Sequence, residues 1–226
     1  SESMSMRAEE ILSANEGFKV INEPKMSREE ILSQIGNFDA LIVRSGTKVD
    51  KELLETGKQL KIVARAGIGV DNIDLDTASR LGILIVNAPD GNVITTAEHT
   101  IALIFSLARR IPEAVSSLKS GLWERSKFVG SELASKTLGV IGLGRVGSNV
   151  ARLAKNIGMD VIAYDPYISE EAALERDVKL VSFDEVLQQC DYLTLHVPGT
   201  DETSNLIGSA EFQKMKDGIR IINCAR

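Results

Sequence analysis

One stretch constrains the fold of this chain more than any other: Thr137 to Lys155, "TLGVIGLGRVGSNVARLAK". An apolar run that reads as a strand (Leu138 to Ile141) leads into Gly142, Gly144 and Gly147. A helical pattern follows to about Gly158. Glycines at this spacing between a strand and a helix have separate jobs. The first permits a tight turn, the second lets the backbone approach a pyrophosphate, and the third lets the helix pack closely. The helix N-terminus then offers N–H groups and a positive dipole end to phosphate. The next strand, Asp160 to Tyr164, ends at Asp165, close to the spacing of about 20 residues for a ribose-binding carboxylate. A carboxylate there accepts from ribose hydroxyls and repels a 2′-phosphate. Glu170, Glu171 and Glu175 come before the first cation, Arg176, so NAD is expected over NADP.

The rest of the chain alternates in the same α/β manner. Helices are expected from Ser5 to Asn15 (stopped by Gly17), from Ser27 with a capping box to Glu30, near Lys51 to Lys58, and from Asp74 to Leu81 before Gly82. Strands are expected at Phe18 to Ile21, Phe38 to Val43, Lys61 to Ala64 and Ile83 to Val86. Strands this apolar imply a parallel sheet covered on both faces. Pro89 to Asn92 interrupt the pattern, which divides the chain into a first domain at 1–88 and a nucleotide domain at 89–226. Thr95 to Arg110 is apolar on most of its circumference, so it is expected to be buried all round, within the chain or against a partner subunit. A second helix spans Glu113 to Ser120, and Gly121 to Gly130 is irregular. Two further strands, Tyr192 to Leu195 and Ile219 to Ile222, end in polar turns at the carboxyl edge where ligands gather.

Charge and composition exclude several classes. A net charge of -6 without a basic cluster argues against nucleic-acid binding. Apolar runs are too short for a membrane span, and "SESMS" lacks the form of a signal peptide. Cys190 and Cys224 lie in or beside strand-like runs, which suits buried thiols in a reducing, cytoplasmic setting. No His/Cys/acid cluster has metal-ligand spacing, so no metal is expected. Of the two histidines, His99 is read as packed within its apolar helix, and His196 as a loop-orienting residue; neither is a convincing general base. Arg44 in "VRSGT" and Arg65 in "ARAGIG" stand at strand ends, where the second turn's N–H groups suit a carboxylate.

Taken together, "RSGTKV", "ARAGIGVDNID", "VNAP", "AEH", "LGVIGLGRVG", "YDP", "HVP" and "INCAR" resemble the D-isomer-specific 2-hydroxyacid dehydrogenases over nearly the whole chain. "WER" and "KFVG" (Trp123 to Gly130) are similar to the branch that oxidises D-3-phosphoglycerate, the first step of serine biosynthesis. The resemblance implies two doubly wound domains, a flavodoxin-like substrate domain and a Rossmann NAD-binding domain, with the active site in their cleft. It also implies a homodimer or higher homo-oligomer through helix 95–110, acting on a small anionic 2-hydroxy acid. By the same resemblance, Arg226 matches the catalytic arginine that binds the substrate carboxylate. Arg145, Val146, Val197, Pro198, Thr203, Cys224 and Ala225, with the glycines and Asp165, match cofactor contacts. Arg44, Ser45, Arg65, Gly67, Ile68 and Gly69 match substrate-anchoring positions, Ile68 also lying near the nicotinamide.

The family pairs a histidine acid/base with a glutamate beyond the catalytic arginine, and this sequence contains neither. It also begins at a helix where the family begins with a strand. The chain is therefore expected to be truncated at both ends, with both domains incomplete, and inactive as it stands. Two alternatives remain open: another D-2-hydroxyacid specificity, and an NAD(H)-sensing, corepressor-like interaction protein.

Overall fold

Serine and aspartate caps set half of the α-helix starts in the computed structural model, which describes residues 6–23 and 26–225. By contact the chain divides into two units, Ser1–Asn92 and Val93–Arg226. The first unit carries α1 (Met6–Ser13), α2 (Arg28–Gln34), β1 (Ala40–Val43), α3 (Lys51–Thr56), β2 (Ile62–Arg65), α4 (Leu75–Leu81) and β3 (Leu84–Asn87). Ser27 Oγ accepts from Glu30 N, and the Glu30 carboxylate accepts from Ser27 N at 2.7 Å, which closes the capping box at α2. The Asp50 and Asp74 carboxylates cap α3 and α4 by accepting from Leu53 N and Thr77 N, and Gly82, at φ 70°, ends α4 in the left-handed conformation.

The three strands pair in parallel in the order β1-β2-β3. Their core is built from Ile35, Val43, Val49, Leu53, Leu54 and Val63. Two expectations fail here. Phe18 to Ile21 forms no strand: no neighbour offers it a ladder, and Phe18 and Ile21 are exposed. Nor is the sheet covered on both faces, because Leu84 and Val86 share one face of the edge strand β3 and both stay exposed. The expected start of the first helix, Ser5, lies outside the described residues.

The second unit carries α5 (Val93–Arg109), α6 (Ile111–Lys119), β4 (Thr137–Ile141), α7 (Arg145–Asn156), β5 (Asp160–Tyr164), α8 (Glu170–Leu174), β6 (Lys179–Leu180), α9 (Phe183–Gln189), β7 (Tyr192–Leu195), α10 (Ser209–Phe212) and β8 (Arg220–Asn223). All five strands are parallel, in the order β6-β5-β4-β7-β8. Side chains alternate between the two faces, as strand geometry requires. Leu138, Val140, Val161, Ala163, Tyr192 and Ile222 point to a core shared with α5 and α7. Ile141, Ile162 and Leu193 point to the opposite core, shared with α9. The result is a doubly wound, Rossmann-like sheet whose strand order reverses between β4 and β7. In such sheets the crevice for a ligand opens at that switch point.

The long helix α5 is covered by this chain on one side only: Val93, Ala97, Thr100, Ile104 and Ala108 face inward, while Ile94, Phe105 and Leu107 are exposed. His99 is exposed too, so it is not the packed histidine expected. Ile94 and Phe105 flank the inward stripe on one side and Leu107 flanks it on the other. Among the described residues, no helix is long and apolar enough to cross a membrane.

Candidate functional site

Because all five strands of the second unit run in parallel, four of their carboxyl ends gather the site residues along one edge. The turn after β4 sits at the switch point. Gly142 has φ 89°, and a Cβ there would meet the His196 carbonyl oxygen at 2.7 Å. The ends of β4 and β7 are thus in backbone contact. A Cβ on Gly147 would meet the Gly142 carbonyl oxygen at 2.0 Å, so α7 lies directly against the turn. Gly144 differs: it is the N-cap of α7, and a Cβ on it would find nothing within 4 Å. Two of the glycines are needed for packing, and the middle one faces open space. No side chain caps α7 at this end. Arg145 and Val146 form its first turn, Arg145 exposed and Val146 half-buried.

After β5 comes Asp165, half-buried. Its Oδ2 accepts from Leu143 N at 2.8 Å and its Oδ1 from Tyr167 N at 2.9 Å. The carboxylate is held against the glycine turn, and an ionised carboxylate has about four acceptor sites, so two remain for a ligand. After β7 comes His196, whose Nε2 shares a 2.9 Å hydrogen bond with Thr194 Oγ1. Burial pushes its pKa down to about 4, so it is a neutral imidazole near pH 7. Val197 and Pro198 follow. Thr203 then folds the loop back, donating to Pro198 O while its Oγ1 accepts from Thr200 N at 2.9 Å. After β8, Cys224 is half-buried, and Ala225 N donates to Asn223 Oδ1 at 2.9 Å. Arg226 lies outside the described residues.

In the first unit the loops after β1 and β2 are joined. Asn72 Nδ2 donates to Arg44 O at 2.8 Å and to Thr47 O at 2.7 Å. Arg44 and Ser45 are exposed, whereas the Arg65 side chain is only 2% exposed. The Arg65 guanidinium turns into its own loop, donating to Gly69 O and pairing with Asp71 at 2.7 Å. Its Nε is buried with no hydrogen-bond partner among the described residues. Asn87 Nδ2 holds Ile68 O at 2.6 Å, and Ala88 N donates to Gly67 O. The structure therefore brings Arg44, Ser45, Arg65 and the Gly67–Gly69 turn into one loop cluster. Asp71, Asn72 and Asn87, which build that cluster, escape a reading of the sequence. Their only signal is their nearness to the glycine-rich turn and strand end. Among the described residues, no group of three or more His, Cys, Asp or Glu is placed to hold a metal.

Residues 101–226 match the model of the D-isomer specific 2-hydroxyacid dehydrogenase NAD binding domain. The chain is 53% identical over 210 residues to a D-3-phosphoglycerate dehydrogenase of Archaeoglobus fulgidus, covering 93% of this chain and 40% of that protein. It therefore spans less than half the length of the curated relatives it matches. Among solved structures, NAD+-bound 3-phosphoglycerate dehydrogenase of Entamoeba histolytica superposes with a TM-score of 0.75 at 34% identity, over 92% of this chain and 62% of that one. A D-lactate dehydrogenase of Aquifex aeolicus complexed with NAD and lactic acid gives 0.78 at 35%, over 86% and 59%.

Proposed function

Since the chain belongs to the D-isomer-specific 2-hydroxyacid dehydrogenase family, we propose that it is the nucleotide-binding and partial substrate-binding portion of a cytoplasmic D-3-phosphoglycerate dehydrogenase. The observation that carries the substrate is the 43 to 53% identity to relatives bearing that name. The cofactor is NAD, and the residues present fit it: the space beside Gly144 admits a pyrophosphate, and Asp165 stands where the ribose hydroxyls would donate. When bound, NAD+ accepts the hydride from the hydroxyl-bearing carbon.

The chain's own residues then have distinct tasks. Backbone at Gly144, Arg145 and Val146 cradles phosphate, Asp165 selects the unphosphorylated ribose, and Val197, Pro198, Thr203, Cys224 and Ala225 line the rest of the groove. Arg44, Ser45 and the Arg65–Gly69 loop hold the anionic substrate. In this loop Arg65 supports the backbone from within, its Nε buried without a hydrogen-bond partner among the described residues. Arg226 anchors the substrate carboxylate with a bidentate fork. Removing the hydroxyl proton needs a base. His99 is exposed on α5, and His196 is engaged with Thr194 and held neutral, so neither is assigned that role. The exposed apolar row Ile111, Val115 and Leu118 of α6, with the partly exposed Ile94, Phe105 and Leu107 on the flanks of α5, is assigned to a homodimer.

The test is direct. The 226 residues alone bind NADH but do not turn over D-3-phosphoglycerate, whereas a chain extended to the length of its relatives oxidises it with NAD+. Turnover by the 226 residues alone, or a marked preference for lactate or glyoxylate in the extended chain, overturns the proposal. A partner captured only with NADH, with no activity at full length, would favour the sensor instead.

A further inference from the structure

Two loops leave the carboxyl edge on either side of the glycine turn, and one side-chain hydrogen bond joins them. Because β5 and β7 flank β4, the segment after Tyr164 and the segment after Leu195 emerge on opposite sides of Gly142. The Tyr167 phenol donates to Glu202 Oε2 at 2.9 Å. Both ends are built into the site. Tyr167 N is tied to Asp165, which is itself tied to Leu143 in the glycine turn. Glu202 stands in the turn closed by Thr200 and Thr203. Yet the Tyr167 ring is 82% exposed, so packing does not fix where it points. Glu202 beside it pushes the phenol's pKa up, which keeps the donating proton in place.

We propose that Tyr167 and Glu202 form a latch across the mouth of the dinucleotide groove. The latch is closed without ligand and parts for NAD(H) to enter or leave. It is a gate on exchange, and its effect is on rates more than on affinity. The proposal rests on the reading of the glycine turn as the NAD site.

Stopped-flow fluorescence with NADH tests it on the chain, Tyr167→Phe, Glu202→Ala and the double variant. Tyr167→Phe keeps the ring and removes only the donor. A net hydrogen bond of the usual worth predicts that association and dissociation both quicken about threefold to tenfold, with Kd changed by less than about twofold. Glu202→Ala should do the same, and the double variant no more than either single one, since both remove one bond. Unchanged rates in Tyr167→Phe, additive effects, or a faster dissociation alone would overturn the latch. Failure of the unaltered chain to bind NADH overturns the nucleotide reading and the latch together. Normal binding with unaltered variant rates overturns the latch alone.

Discussion

A methyl group at position 147 has nowhere to go. Its nearest neighbour would be the Gly142 carbonyl oxygen at 2.0 Å, with Gly142 C at 3.1 Å and Val140 Cγ1 at 3.3 Å. Carbon and oxygen normally approach to about 3.3 Å, so α7 or the turn must retreat by more than about 1 Å. The nearest atoms are backbone, and no side chain can swing aside. Overpacking of this kind costs about 1–3 kcal/mol, occasionally more. Against it, alanine is better than glycine inside a helix by about 1 kcal/mol. With the clash at the upper end of its range, Gly147→Ala loses about 2 kcal/mol. At a urea m-value of about 2 kcal/mol/M, the midpoint falls by about 1 M. NADH affinity falls too, because the turn that shapes the groove has moved. Gly144→Ala is the contrasting variant. Its φ of -68° suits any residue and its Cβ would meet nothing, so stability should change by less than about 1 kcal/mol. NADH affinity should still drop by about tenfold or more, because the methyl fills the space a phosphate needs. Urea unfolding followed by circular dichroism, with fluorescence titration of NADH, reads both quantities. If Gly147→Ala unfolds at the parental midpoint, the packing argument fails. If Gly144→Ala binds NADH as the parent does, the open side is not the ligand's side.

Three further outcomes follow from the site. Asp165→Ala removes the acceptor held by Leu143 and Tyr167; NADH affinity should fall about tenfold while NADPH gains relative to it, by titration of both. His196 has its folded pKa lowered to about 4 from an ordinary value of 6.5. Between those values the unfolded chain binds a proton and the folded chain does not, so His196 destabilises progressively as pH falls from about 6.5 to 4. The loss is on the order of 3 kcal/mol, and the stability gap between the chain and His196→Gln should shift with pH by that amount. Burial pushes the Cys190 thiol up to about 11, so at pH 8 a thiol reagent should leave it unmodified in the folded chain and label it after unfolding. Peptide mass mapping decides this, and rapid native labelling at Cys190 would contradict its burial.

Signals that act within four residues were legible in the sequence. Ser27 with Glu30, Gly82 at φ 70°, and the strand–glycine–helix run into α7 could all be read directly, because each states its backbone conformation locally. The acid at the end of β5 was legible for the same reason, since its spacing follows from one helix and one strand. What required a partner was not. Phe18 to Ile21 has the composition of a strand, but a strand exists only where a neighbour completes its ladder. The two-residue β6 gives too little pattern to notice, although Ser182 and Glu185, the capping box of α9 beside it, were there to be found. Arg65 is expected from the sequence to anchor substrate, and only the fold shows that Asp71 and Gly69 turn its guanidinium into its own loop. Tyr167 and Glu202 lie too far apart in sequence for any local pattern to join them.

The helix α5 shows where sequence reasoning stops and why. Its apolar residues on nearly every side say that water is unfavourable all round it, but hydrophobicity carries no label for which molecule displaces the water. The structure supplies that label for one stripe only. Val93, Ala97, Thr100, Ile104 and Ala108 fall at helical spacing and are covered by this chain. Ile94 and Phe105 on one flank of that stripe and Leu107 on the other are as apolar and stay partly exposed. Scattered exposed apolar residues need no explanation, but the row Ile111, Val115 and Leu118 along one face of α6 does. The proposed homodimer accounts for it, since a second copy would present the same row and bury both. His99 belongs to that argument as well. It is exposed in the single chain, so the polar partner that a buried histidine requires would have to come from the second copy.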